Sequence, residues 1–258
     1  MIGDRTSKTG YFLGKKDRMM MLMEFMNESP DAKDAILTID YEFVPGKMAK
    51  EMKFERVDSL WLDVGGCGES EQVPKSNTTS EYEMKTPFEA NRNGRVLGMG
   101  AHLHDGGVHL ETKKDDKAVC DAAATYGATP AYISTMPMPN MPGMPEGPMQ
   151  MTHISNMSSC YNVGEYKKGD KFSVKAFYDM TAHPGMKQSD GSLSTVMGIS
   201  LVYVVPEARN RTGGMNGGMN GGMNGDKPGF KGDGARTVSS WMTVGVIGAI
   251  ATIAGFMI

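Results

Sequence analysis

Charge of one sign, cysteine, helical periodicity and an N-terminal apolar run are all scarce or missing in this chain of 258 residues. Lys and Arg number 27 against 30 Asp and Glu, a formal net charge of -3, so the whole chain offers no reason to expect nucleic-acid binding. Three cysteines, Cys67, Cys120 and Cys160, allow one disulfide and leave an odd thiol. No stretch shows a persuasive 3.6-residue period, which argues against a helical core. The first 18 residues contain no apolar run that could serve as a signal peptide. A phosphate loop, a zinc cysteine cluster and a Ser/His/Asp order are not apparent either.

What is present is a chain 22 % charged and 40 % hydrophobic, not mainly disordered and long enough for one large or two small domains. Glycine (33) and methionine (25) are abundant. Much of the methionine falls in two segments. Thr135–Met151 holds six Met and five Pro and is expected to be a long irregular loop. Residues 213–224 repeat GGMN three times and form a flexible linker by composition. Thioethers bind Cu(I), but a tolerated low-complexity loop and stalk is the favoured reading of both.

The final 18 residues, Trp241 to Ile258, carry no charge. They read as the hydrophobic tail of a glycolipid-anchor signal, with an uncleaved membrane anchor as the alternative. Candidate attachment positions are Gly232, Asp233 and Gly234, or Asn224 if a longer polar spacer is needed. Four N-x-S/T triplets, at Asn27, Asn77, Asn156 and Asn210, lean towards glycosylation on the secretory route. A protein with an anchor signal must enter that route, so the simplest expectation is that this sequence lacks its true N-terminus.

Short runs punctuated by Gly, Pro, Asn and Asp predict strands at Met19–Phe25, Ala35–Val44, Ser59–Val64, Arg95–Leu103, Val108–Thr112, Phe172–Tyr178 and Val196–Val205. In Ala35–Val44 the alternation of Leu37, Ile39, Tyr41 and Phe43 with other residues is the period-2 pattern of a half-buried strand. The expected fold is an all-β antiparallel sandwich. Its expected divisions are 1–58, the end of a first β-domain; 59–206, the sandwich; 207–240, the Gly/Met/Asn-rich stalk; and 241–258, the tail.

Five histidines occur, His102, His104, His109, His153 and His183, and none precedes His102. Three fall in GAHLHDGGVHLE. On a strand His102 and His104 project from the same face, and if Gly106-Gly107 forms a two-residue hairpin turn, His104 lies across from His109. Three imidazoles on one face suit a transition metal; a hydrogen-bonded hairpin without metal is the alternative. Met197 lies on a strand whose alternate residues Ile199, Leu201 and Tyr203 are expected in the core, and taken alone it reads as packing.

GMGAHLHDGG followed about ninety residues later by STVMGISLVYV resembles the second half of the copper type II, ascorbate-dependent monooxygenases. The stretches GYFLGKKDRMMMLMEFMNES, LTIDYEFVPGK, WLDVGGCGES, HLHDGGVHLE, AVCDAAATYG and HISNMSSCYNVGEYKKGDKFSV resemble the stress-up-regulated nodulin family over residues 9–205. The resemblance implies a jelly-roll-like sandwich and one mononuclear copper site with His102, His104 and Met197 as ligands. His109 has no counterpart in that motif and is a substitute or supporting group, and His183 is a cavity candidate. A thioether favours Cu(I), and two imidazoles with one sulfur leave an open position for dioxygen. The second copper of those enzymes is held by histidines of a preceding domain, which nothing ahead of His102 can supply.

Cys120 and Cys160 are the expected disulfide, worth roughly 3–4 kcal/mol in the chain-entropy model. Cys67 is expected to be a free thiol or to pair outside this chain. Three functions follow as expectations: a surface copper-dependent oxidative enzyme acting on an undefined small molecule or peptide, a copper-binding protein without turnover, and a metal-free surface module in stress response or adhesion. In each, the tail or a glycolipid makes the membrane a partner.

Overall fold

The structure, a computed structural model, describes residues 8–19, 32, 34, 36–136, 149–188, 190–208, 235–237 and 241–242. The first elements are β1 (Thr9–Gly10), β2 (Arg18–Met19), the short helix α1 (Gly46–Glu51) and β3 (Glu55–Arg56), with β1 and β3 pairing in parallel. The main body follows: β4 (Asp58–Asp63), β5 (Thr79–Glu83), β6 (Phe88–Glu89), β7 (Gly94–Leu103), β8 (Gly107–Lys114) and β9 (Lys117–Tyr126). After these come β10 (Ile133–Met136), β11 (Met149–Thr152), β12 (Ile154–Met157), β13 (Cys160–Tyr166), β14 (Lys171–Asp179) and β15 (Gly198–Pro206). Two further short strands are β16 (Ala235–Thr237), beside β4, and β17 (Trp241–Met242), beside β2.

Two antiparallel sheets form the sandwich. One runs β12-β9-β8-β14-β5, with β6 also on β14; the other runs β13-β7-β15-β4-β16. Alternation decides which side chains meet between them. Leu60 and Leu62 of β4, Met99 and Leu103 of β7, and Val202 and Val204 of β15 face Leu110 of β8 and Phe172, Val174 and Ala176 of β14. Each fully buried Leu or Val contributes about 1.5–3 kcal/mol of transfer free energy. The core also holds one polar pair, Thr112 Oγ1 donating to Ser200 Oγ at 2.7 Å, which joins the two sheets where both residues are buried. At the margin, Cys120 of β9 and Cys160 of β13 form a disulfide, Cα atoms 5.8 Å apart, that links one sheet to the other. Cys67 is exposed.

Several expectations need correcting. Residues 36–44 form no strand: Ile36 is 85 % exposed and Phe43 81 %, and among the described residues no strand pairs with them to supply the ladder that their alternation calls for. The helix α1 follows Pro45 and is too short to impose a visible period. Ile199 is buried as expected, but Leu201 and Tyr203 are only half-buried; Ser200, Val202 and Val204 face the sandwich interior, and the other parity lies on the opposite face of the sheet with Trp61 and His102. The Met/Pro segment is not irregular throughout, since Thr135 and Met136 pair with Gln150 and Met149 in a β10–β11 ribbon.

Other expectations fall wholly or partly outside the described residues: the run Met20–Phe25, the loop 137–148, the GGMN repeat, Asn27, Asn210, Asn224, Gly232, Asp233, Gly234 and the tail beyond Met242. Among the described residues no helix is long and apolar enough to cross a membrane.

Candidate metal centre

The chain leaves one sheet and enters the other between His104 and Gly107. The Gly107 N–H donates to the His104 carbonyl at 3.0 Å, so a turn is present, but β7 and β8 belong to different sheets. The turn needs its glycines: Gly106 has φ +92°, and a Cβ there would run into Met180. The Tyr126 hydroxyl locks the turn, accepting from the Gly106 N–H at 3.0 Å and donating to the Gly107 carbonyl at 2.8 Å.

This crossing overturns the hairpin geometry expected for His109. Leu110 and Thr112 of β8 face the interior, so His109 faces out from the far side of the sandwich. Its ring stacks on Phe177, centroids 4.2 Å apart, and its Nδ1 lies 2.6 Å from Asp121 Oδ1. Among the described residues no three His, Cys, Asp or Glu side chains come together as a metal-binding group. His102 and His104 therefore stand as a pair, and a further protein donor to an ion between them must be of another residue type.

The pair itself is well ordered by its surroundings. The ring centroids of His102 and His104 lie 5.4 Å apart with planes at 84°. Two imidazoles at this spacing fit a shared ion, because each places a nitrogen ~2 Å from the metal. His104 Nδ1 sits 2.7 Å from the Thr195 carbonyl oxygen. A carbonyl can only accept, so Nδ1 carries the proton and Nε2 keeps its lone pair for a metal. His102 is pushed down to about 4, by burial first and by the neighbouring His104 second. It stays neutral at ordinary pH, which is the form that ligates.

Met197 reaches the same end of the sheet through strand register. The β7–β15 ladder ends with Gly198 paired to Leu103 and Ile199 to His102, and Met197 and His104 are the residues that continue the two chains just beyond it. The Tyr178 hydroxyl of β14 joins the two segments from beneath. It accepts from the His104 N–H at 3.1 Å and from the Met197 N–H at 3.3 Å, and donates to the Met197 carbonyl at 2.5 Å. Burial raises the Tyr178 pKa well above the ordinary phenol value, so it remains a donor.

His183 stacks flat on Tyr126, centroids 3.8 Å apart, and so lies over the turn that follows His104. Asn77 and Asn156 are exposed. The residues that sequence reasoning missed are Tyr178, Thr195 and Tyr126. No sequence signal marks them, because Tyr178 and Tyr126 act on backbone atoms of distant segments and Thr195 acts through its own backbone carbonyl.

The donor set invites comparison with known proteins. The chain is a distant homologue of fungal proteins named probable copper-dependent oxygenases. It is 31 % identical over 199 residues to one from Cochliobolus lunatus, covering 77 % of this chain and 58 % of that protein. It is 30 % identical over 199 residues to one from a Phoma species, covering 77 % of this chain and 46 % of that protein. The chain thus spans about half the length of these curated relatives. No family model matches the sequence, and no solved structure matches it.

Proposed function

We propose that this chain carries one mononuclear copper site formed by His102, His104 and Met197, and that it is a copper-dependent oxygenase-like oxidoreductase. The observation that carries this reading is the Nδ1 hydrogen bond of His104 to the Thr195 carbonyl, which fixes the ligating tautomer beside a second, neutral imidazole. The names of the fungal relatives support copper as the metal. The Tyr178 hydroxyl, which hydrogen-bonds the backbones of both His104 and Met197, supports a thioether as the third donor.

Copper held there would supply a one-electron redox centre for chemistry with dioxygen. The protein's own part is to fix the imidazole orientations through Thr195 and Tyr178, and to keep His102 unprotonated by burial. His183 lies near the same turn through its stack on Tyr126, where it could touch a substrate. The wider kinship is with the second half of the copper type II monooxygenases and the stress-up-regulated nodulin family, on a jelly-roll-like sandwich. Residues 1–58 belong on this reading to the end of a preceding β-domain.

The cystine is consistent with an oxidising, extracellular or secretory setting. Glycans at Asn77 and Asn156, further ones at Asn27 and Asn210, and a C-terminal lipid or membrane anchor complete the proposal for a surface protein. Copper binding without turnover is the second reading, favoured by the lack of another histidine-rich metal cluster among the described residues.

The test is metal content. The chain would be folded under oxidising conditions, reconstituted with Cu, Zn or Ni, and assayed for bound metal beside His102→Ala, His104→Ala and Met197→Ile. One copper per chain, lost with either histidine substitution, supports the site and justifies a search for oxygen-dependent turnover. A folded parent without stoichiometric copper removes both copper readings and leaves a structural surface module.

A further inference from the structure

The sequence shows no Ser/His/Asp order, but folding assembles one from three separate segments. Asp105 comes from the turn after β7, Ser134 from β10 and His153 from the single residue between β11 and β12. His153 and Asp105 are nearly buried, 6 % and 8 % exposed, while Ser134 is half-buried. His153 Nδ1 lies 2.6 Å from Asp105 Oδ2, and the Ile154 N–H donates to Asp105 Oδ1 at 2.9 Å. Ser134 Oγ lies 2.9 Å from His153 Nε2. The His153 backbone is pinned as well, its N–H donating to the Tyr132 carbonyl at 2.8 Å and its carbonyl accepting from the Gly127 N–H at 3.0 Å.

Hydrogen-bond directions follow from these contacts. His153 Nδ1 faces the Asp105 carboxylate, which accepts its proton, and this tautomer leaves Nε2 as the acceptor that the Ser134 hydroxyl meets. That polarity, hydroxyl to imidazole to carboxylate, is the one a general base needs to activate a serine.

We propose that Ser134 is a base-activated nucleophile that accepts the acyl group of a small ester, independently of bound copper. As Ser134 Oγ forms a bond to the ester carbonyl carbon, its proton passes to His153 Nε2. The carbon–oxygen bond to the alcohol portion breaks, and the departing oxygen takes that proton from His153. Water then attacks the acyl-serine by the reverse proton path, releasing the carboxylic acid and restoring Ser134. Asp105 holds the His153 tautomer throughout.

The full chain, with and without copper, would be treated with a fluorophosphonate probe and with p-nitrophenyl acetate, and adducts located by peptide mass. The expected result is one adduct, on Ser134, in the folded protein in both metal states. It should be absent from Ser134→Ala and from the guanidinium-unfolded chain. General-base help contributes roughly 10²–10⁴-fold, so labelling of folded His153→Gln or Asp105→Asn should slow by that order. If those two variants do not fold, the folded and unfolded parent and Ser134→Ala still decide. No adduct on Ser134 in the folded parent, equal labelling of the unfolded chain, or an undiminished rate in folded His153→Gln would overturn the proposal.

Discussion

His104 and His109 stand on either side of one tight turn, yet they face opposite sides of the sandwich. His104 is held by a backbone carbonyl through Nδ1 and by Tyr178 through its own N–H, next to a second imidazole and sharing the Tyr178 hydroxyl with the Met197 backbone. His109 is held by an exposed carboxylate and a phenyl ring, with no other imidazole in its cluster. The chemistry available to a histidine here depends on the sheet its strand joins rather than on its distance along the chain.

The sharpest way to break this comparison is to remove one histidine at a time. His104→Ala is expected to abolish stoichiometric copper binding, whereas His109→Ala should retain it; metal analysis of the two folded variants decides. Loss of copper from His109→Ala alone would reverse the assignment of the two sides.

The next effect concerns the link between the sheets. Replacing Cys120 and Cys160 by Ser is expected to lower unfolding free energy by about 2–4 kcal/mol. Urea unfolding measures it. Smaller again, and more telling about the site, is Tyr178→Phe. Removing the hydroxyl leaves the buried N–H groups of His104 and Met197 without that acceptor, at a cost of about 1–3 kcal/mol. Cu(I) affinity should fall in this variant while stoichiometry stays at one per chain, as read by competition with a Cu(I) chelator.

A pH series probes the His104 side of the turn through its neighbour His102. Native His102 protonates only near pH 4, against an ordinary 6.5 in the unfolded chain. The unfolded state therefore binds the extra proton between those limits, and the copper-free protein should lose stability as pH falls from 6.5 to 4, with no such loss above 6.5. Melting temperatures of parent and His102→Gln across that range test this, because the variant should lack that part of the slope. The smallest effect is expected for His109→Ala, about 0–1 kcal/mol, since its contact with Asp121 is solvent-exposed.

Much of the sandwich was legible in the sequence. Strands expected at Ser59–Val64, Arg95–Leu103, Phe172–Tyr178 and Val196–Val205 correspond to β4, β7, β14 and β15, because each is a short apolar-rich run bounded by turn residues. The Cys120–Cys160 disulfide was legible too. The side of β15 that faces the interior was not, since Ile199, Leu201 and Tyr203 look more apolar than Ser200 and its neighbours. Ser200 is accepted inside only because Thr112 donates to it from the other sheet. The alternating run at 36–44 shows the converse limit: a strand pattern needs a partner strand, and pattern alone does not provide one.

At the candidate site, the spacing of His102 and His104 was legible because period 2 puts both on one face. Which sheet received His109 was not, because Asp105-Gly106-Gly107 serves equally well as a hairpin or as a crossing between sheets. The three-residue Asp105–His153–Ser134 chain was invisible for a related reason. Its members meet only after the β10–β11 ribbon brings Ser134 beside His153.

The central claim is that His102, His104 and Met197 hold one ion together. X-ray absorption on the Cu(I)-loaded chain, beside Met197→Ile, tests it most directly. The account predicts two nitrogen scatterers of imidazole type and one sulfur in the parent, with the sulfur lost and the imidazoles kept in the variant. A parent spectrum without sulfur, or a sulfur that survives Met197→Ile, would contradict it.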